Sequence, residues 1–228
     1  MTLRIALLQR GDCAVHGALV RLRDTLPGAE TMLDCDVAFT LFDSESEFVQ
    51  ALQTPCDKLP RLIVDFSPVS AALFARTHDE LARAGVELVG VQSAAGGTLR
   101  LFGDTALQAK PEVLAVLRRA ADEIYFTGAC GTSKAMATVE RLLLAVSCAA
   151  SAEAIALATR SGLDARDTRD LLAKGSGANA VLATGAPCDS AAALQAIDRG
   201  QDLARPHGHA LPLCASAKVF HQWQGACA

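Results

Sequence analysis

The sequence predicts an α/β chain: a doubly wound parallel sheet followed by an all-helical domain built on one long central helix. Three observations predict it. Short apolar runs alternate with helical segments from Leu3 to Phe126, the pattern of strands buried on both faces of a parallel sheet. The strand signals stop at a glycine-punctuated turn, Gly128-Ala-Cys-Gly131. A helical run then extends to Ser161-Gly162 with no Gly or Pro inside it. The division falls near Gly128, giving domains 1–127 and 128–228.

The elements follow in order. Leu3 to Leu8 suits a buried strand, and Arg10-Gly11-Asp12 turns into a helix from about Cys13 to Leu26, ended by Pro27-Gly28. Asp36 to Phe42 is a second strand. Ser44 and Glu47 make a capping box for the helix Glu45–Leu52. Leu62 to Phe66 is a third strand. Ser67 then caps a helix with Pro68 at its first position and Gly85 just past its end. Val86–Val91 and Thr98–Phe102 are further strands, Pro111 opens a helix, and Glu123–Phe126 is the sixth strand. The long run from Gly131 measures roughly 45 Å at 1.5 Å per residue. Gly162 stands where a left-handed cap is needed. A helix apolar on all sides reads as a core helix that must be wrapped. Beyond it, Asp164 caps a helix to Lys174, and two more run from about Ser190 to Ala204 and from Pro212 toward Trp223.

Composition narrows the function classes. The chain has 228 residues, 51% hydrophobic and 4% aromatic, so its core is built from Ala, Leu and Val. A net charge of −4 and a pI near 5.7 argue against a nucleic-acid surface. Glu153 in the middle of the long helix, with Arg141 and Arg160 too close together to flank a full span, argues against a membrane segment. The N-terminus lacks a signal-peptide profile. The eight cysteines are scattered singly, without a C-x-x-C pair, which reads as free thiols in a reducing cytoplasm.

The first strand–turn–helix is the place for a dinucleotide fingerprint, because glycines let the backbone approach a pyrophosphate at the helix N-terminus. The three glycine positions fall on Gln9, Gly11 and Ala14, so Gly11 is the candidate contact. An ordinary strand–helix turn explains the same residues. Only Ala29 to Asp34 separates the first helix from the next strand, so a strand and helix of a full nucleotide-binding half are missing. Asp34 is the candidate ribose ligand.

The remainder resembles the β-hydroxyacid dehydrogenases, the group of 3-hydroxyisobutyrate dehydrogenase and tartronate semialdehyde reductase. Cys35-Asp36-Val-Ala-Phe is similar to the family's A-D-V-V-I strand, and Val64-Asp65-Phe66-Ser67-Pro68 to its D-x-S-T-x-P turn beside the nicotinamide. Val89-Gly-Val-Gln-Ser93 with Gly97-Thr98-Leu99 resembles its substrate loop, and Gly128-Ala-Cys-Gly131-Thr its G-x-x-G-x-G turn. Ala152-Glu153-Ala154, Gly162-Leu163-Asp164, Gln201-Asp202-Leu203-Ala204 and Leu211-Pro212-Leu213 match later family marks in the same order. The resemblance implies a Rossmann-like sheet, NADP or NAD as cofactor, a small-molecule substrate and a homo-oligomer, with a dimer expected.

It also implies a site. Gly11, Ser67 and Gln201 fall at cofactor positions, and Ser93, Gly131 and Glu140 at substrate positions. Ser67 serves equally as a helix cap. The family lysine that protonates the substrate oxygen falls on Ala137. The paired asparagines fall on Glu140 and Arg141, and the late lysine on Gln201. Lys134, one turn before Ala137 on the same helical face, is the candidate replacement; a solvated or ion-paired lysine is the other reading. His207 and His209 in Pro-His-Gly-His are two possible metal ligands without a third, and no metal is expected. Two functions follow. One is an NAD(P)-dependent oxidoreductase acting on a small hydroxy acid or a related carbonyl or imine compound. The other is a catalytically inactive relative serving as a dimeric binding or assembly module.

Overall fold

The computed structural model describes residues 4–9, 35–53, 58–93, 99–185 and 188–227, with positions 21, 22, 24 and 26. It divides into two compact units, 1–137 and 138–228. The division falls inside the long helix, whose first turn is bonded to the sheet.

The first unit is a six-stranded sheet: β1 Ile5–Gln9, β2 Val37–Leu41, β3 Leu62–Asp65, β4 Glu87–Ser93, β5 Arg100–Asp104 and β6 Glu123–Gly128. The strands lie side by side in sequence order. Every pair is parallel except β4–β5. Residues 94–99 are too few for a parallel crossover, which needs a dozen or more residues, so β5 returns antiparallel. It also begins at Arg100, two residues later than Thr98.

Each sheet face carries its own core, as strands buried on both sides require. Leu7, Phe39, Val64 and Val89 point to the face covered by α3 (Pro111–Ala120) through Val113, Leu114 and Leu117. Leu8, Ala38, Ile63 and Leu88 point to the face covered by α1 (Glu45–Leu52) and α2 (Ala71–Arg83) through Phe48, Phe74 and Leu81. The Ser44 half of the expected capping box is present: Glu47 N–H donates to Ser44 Oγ at 3.2 Å, while the Glu47 carboxylate accepts from Asp43 N–H at 3.1 Å, one residue before the cap. The expected cap of α2 is corrected. The helix starts at Ala71 with Ser70 as its cap, while Ser67 lies buried upstream and bonds elsewhere.

The second unit takes up α4 (Thr132–Arg160) from Thr138 onward and adds α5 Ala165–Leu172, α6 Ala180–Thr184, α7 Ser190–Ala204 and α8 Pro212–Cys227. Gly162, at φ 89°, closes α4 as expected: its N–H donates to Thr159 O, and Leu163 N–H donates to Ala158 O. The core is made of small residues, Ala145 and Ala149 of α4 against Ala193, Ala196, Ile197 and Ala217. Close approach explains this choice. A Cβ on Gly200 would lie 2.7 Å from a Leu142 methyl carbon.

Two expectations are corrected in this unit. Among the described residues the long helix is left largely uncovered: its apolar window is 22% buried, and Leu143 is 66% exposed. Its length and apolar composition alone would also suit a membrane span. The cysteines are not all free thiols, because Cys148 of α4 and Cys188 form a disulfide across 40 residues of sequence.

Candidate active site at the C-terminal edge of the sheet

Strand register places Thr40, Asp65 and Gly90 in one row across β2, β3 and β4. The row ends the face that is otherwise apolar. Asp65 is fully buried, and a buried carboxylate must be paired and hydrogen-bonded. Its Oδ1 accepts from Thr40 Oγ1 at 2.9 Å and from Ser67 Oγ at 2.6 Å. Its Oδ2 accepts from Ser67 N–H at 3.1 Å and from Lys134 Nζ at 2.8 Å.

Lys134 enters from the first turn of α4, and its side chain is 0% exposed. Besides the carboxylate, its ammonium donates to the carbonyls of Asp65 and Ser67, both at 2.9 Å. A lysine ammonium has three protons, and these three acceptors match them. The Phe74 ring lies 4.9 Å from Nζ on a further side. Gln92 completes the enclosure by donating to the carbonyls of Phe66 and Ser67 at 2.8 and 2.9 Å. The Ser67 hydroxyl also accepts from Phe42 N–H at 2.9 Å.

A second buried carboxylate seats α4. Asp104, at the end of β5, accepts from the N–H groups of Gly131 at 3.2 Å and Ser133 at 3.0 Å. It accepts a third bond, 2.8 Å, from Gly90 N–H. A negative charge there complements the positive end of the helix. Gly90 has to lack a side chain: a Cβ would stand 2.5 Å from Ser133 Oγ and 2.8 Å from the Asp104 carboxylate. Gly131, at φ 81°, occupies the left-handed region that favours glycine.

Cys130 precedes α4. Burial pushes its thiol up to about 12; the Asp104 and Asp79 carboxylates add to this and Lys134 opposes it. A thiol this hard to ionise is not a nucleophile at neutral pH. Iodoacetamide should label Cys130 in the folded chain at pH 8 about 100-fold more slowly than in the unfolded chain. Equal rates by mass spectrometry would contradict this. The ordinary value is 9.0, so the unfolded chain loses this proton first. The contribution of the group to stability is intact below that pH and falls as pH rises toward 12.

The structure thus brings Ser67, Lys134 and Gly131 to one edge of the sheet. Ser93 ends β4 and is partly buried. Ala137 is buried at 2% exposure, one turn after Lys134. Glu140 and Gln201 belong to the second unit, both half-buried. Gly11 and Asp34 lie outside the described residues. His207 and His209 are exposed, and no group of three or more metal-ligating side chains occurs among the described residues. Sequence reasoning did not single out Asp65, Gln92 and Asp104. For Asp65 a signal existed: a carboxylate directly after the apolar run Leu62–Val64 must be buried and therefore paired.

The resemblance puts the nicotinamide beside Ser67. The hydroxyl is turned inward with its proton on Asp65, and the loop carbonyls are bonded to Lys134 and Gln92.

No family model matches the chain. The 2-(hydroxymethyl)glutarate dehydrogenase of Eubacterium barkeri is 29% identical over 126 residues, 53% of this chain and 42% of that enzyme. The match therefore spans less than half of that relative's length. Among solved structures, the 3-hydroxyisobutyrate dehydrogenase of Mycobacterium tuberculosis, determined with L-serine, superposes with a TM-score of 0.81 at 18% identity. That superposition covers 99% of this chain and 94% of the other. An imine reductase variant from Myxococcus stipitatus in complex with NAD+ gives a TM-score of 0.63 at 14% identity, over 99% of this chain and 95% of the other. The fold is that of a Rossmann-like α/β sheet followed by helices, as expected. More particularly, it is the fold of 3-hydroxyisobutyrate dehydrogenase, in agreement with the β-hydroxyacid dehydrogenase resemblance of the motifs.

Proposed function

We propose that this chain is a 3-hydroxyisobutyrate dehydrogenase-like, NAD(P)-dependent oxidoreductase homologue. It acts on a small hydroxy acid or a related carbonyl or imine compound, without a proton-donating lysine at position 137. The supporting observation is that the ordered motifs fall where such a site is built. Asp65 and Ser67 flank the end of β3, Val89–Ser93 form the end of β4, and the Gly128–Gly131 turn opens α4. A fold alone does not carry a function, so the test is direct. Calorimetry with NADPH and NADH should show saturable binding of one of them; no heat at millimolar cofactor would overturn the reading.

A second reading, a catalytically inactive module, is favoured by the state of the candidate replacement. The Lys134 ammonium is bonded internally on every proton, and Ala137 offers a buried methyl group. Turnover of a small 3-hydroxy acid or its semialdehyde at ordinary enzyme rates would exclude it.

Both readings take a second copy of the chain as partner. Val139, Leu143 and Leu157 of α4 and Val219 and Trp223 of α8 leave apolar side chains exposed. A surplus of this kind on a helical surface usually meets another subunit. Light scattering at micromolar concentration should report twice the chain mass of 23.8 kDa; a monomer would contradict the pairing.

A further inference from the structure

The disulfide in the second unit sits at the root of a weakly anchored excursion. Helices α5 and α6 pack against each other. No residue of either belongs to the core cluster formed by α4, α7 and α8. Thr168 and Leu182 are their buried side chains; of the two leucines that end α5, Leu171 is 70% exposed and Leu172 half-buried. Two side-chain ties from this region to α4 are seen among the described residues. One is a hydrogen bond from Asn179 Nδ2 to Ser151 Oγ at 3.1 Å. The other is the Cys148–Cys188 disulfide, which closes the loop that contains both helices. A neutral hydrogen bond is a small net contribution, so the covalent tie dominates.

The sequence adds an independent consideration. Singly scattered cysteines without a paired framework point to a reducing compartment. Where disulfides occur in such compartments they are usually transient and redox-responsive.

We propose that Cys148–Cys188 is a redox-operated clasp: oxidised, it holds the α5–α6 flap on α4, and a dithiol reductant releases it. Cys148 is buried and Cys188 half-buried, so the incoming thiolate attacks Cys188 Sγ. The S–S bond breaks, and Cys148 leaves as a thiolate and takes a proton. The second thiol of the reductant then displaces Cys188 from the mixed disulfide. In sum the protein gains two electrons and two protons, and the dithiol becomes a disulfide. The clasp does not depend on the proposed oxidoreductase activity.

Hydrogen exchange of the full chain, read by mass spectrometry, tests it. One sample is equilibrated with oxidised dithiothreitol and the other with the reduced form. Reduction should speed exchange across residues 165–184 about tenfold or more, leave β2, β3 and β4 unchanged, and be reversed by reoxidation. Cys188→Ser in the oxidising sample should behave as the reduced protein does. Three results would overturn the proposal: exchange over 165–184 that ignores redox state, acceleration spread through both units, or Cys148 and Cys188 that still alkylate after oxidation.

Discussion

Replacing Lys134 by methionine should destabilise the chain by about 3–5 kcal/mol, the range for breaking a buried ion pair from one side. Methionine fills nearly the same volume, so the loss is electrostatic. It leaves the Asp65 carboxyl fully buried and short of the Oδ2 partner at 2.8 Å. It also strips a donor from the carbonyls of Asp65 and Ser67. The double variant Asp65→Asn, Lys134→Met removes both charges together. It should cost less than the sum of the single changes, with a coupling of about 2 kcal/mol. Urea unfolding followed by circular dichroism measures all three. A single-variant cost below about 1 kcal/mol, the range of exposed pairs, would mean that the ammonium is solvated.

Asp104→Ala should be of similar size, about 3–6 kcal/mol. It abandons the buried amides of Gly90, Gly131 and Ser133, and each unsatisfied buried donor costs roughly 1–3 kcal/mol. It also removes a negative charge from the start of α4, where the helix dipole favours it. The loss should therefore be local as well as global. Hydrogen exchange at Gly131 and Ser133 should accelerate in Asp104→Ala even where the strands stay protected. Unchanged protection at those two amides would contradict the seat assigned to Asp104.

These two carboxylates also show what was legible in the sequence. Features governed by neighbours three or four residues apart could be read. The Ser44 cap, the Asp164 cap and the Gly162 helix end all stand where the sequence places them. The alternation of strand and helix was equally plain, because burial on both faces forces apolar runs. The cap of α2 was misread by three residues, since Ser67 and Ser70 both precede the helix and only tertiary packing chooses between them. Asp65 draws Ser67 inward, and Glu45 accepts from Ser70 N–H at 2.7 Å.

What escaped the sequence is long-range. Lys134 and Asp65 stand 69 residues apart, and nothing local distinguishes a lysine near a helix start from one that runs back into a sheet. Cys148 and Cys188 follow no spacing rule. The exposure of α4 is legible in part: so apolar a helix has more surface than the small helical half can cover, but the sequence does not say which of its residues stay exposed. Of the candidate site, the strand-end motifs were readable and the internal bonding of Lys134 and Ser67 was not.

On the proposed reading the Lys134 ammonium stays bonded to the sheet edge and does not protonate substrate. A crystal structure of the chain grown with NADPH tests it most directly. Cofactor density is expected at the C-terminal ends of the strands, with Lys134 still bonded to Asp65 and the Ser67 carbonyl. A Lys134 side chain swung out of that cluster, with its ammonium facing the nicotinamide, would contradict it.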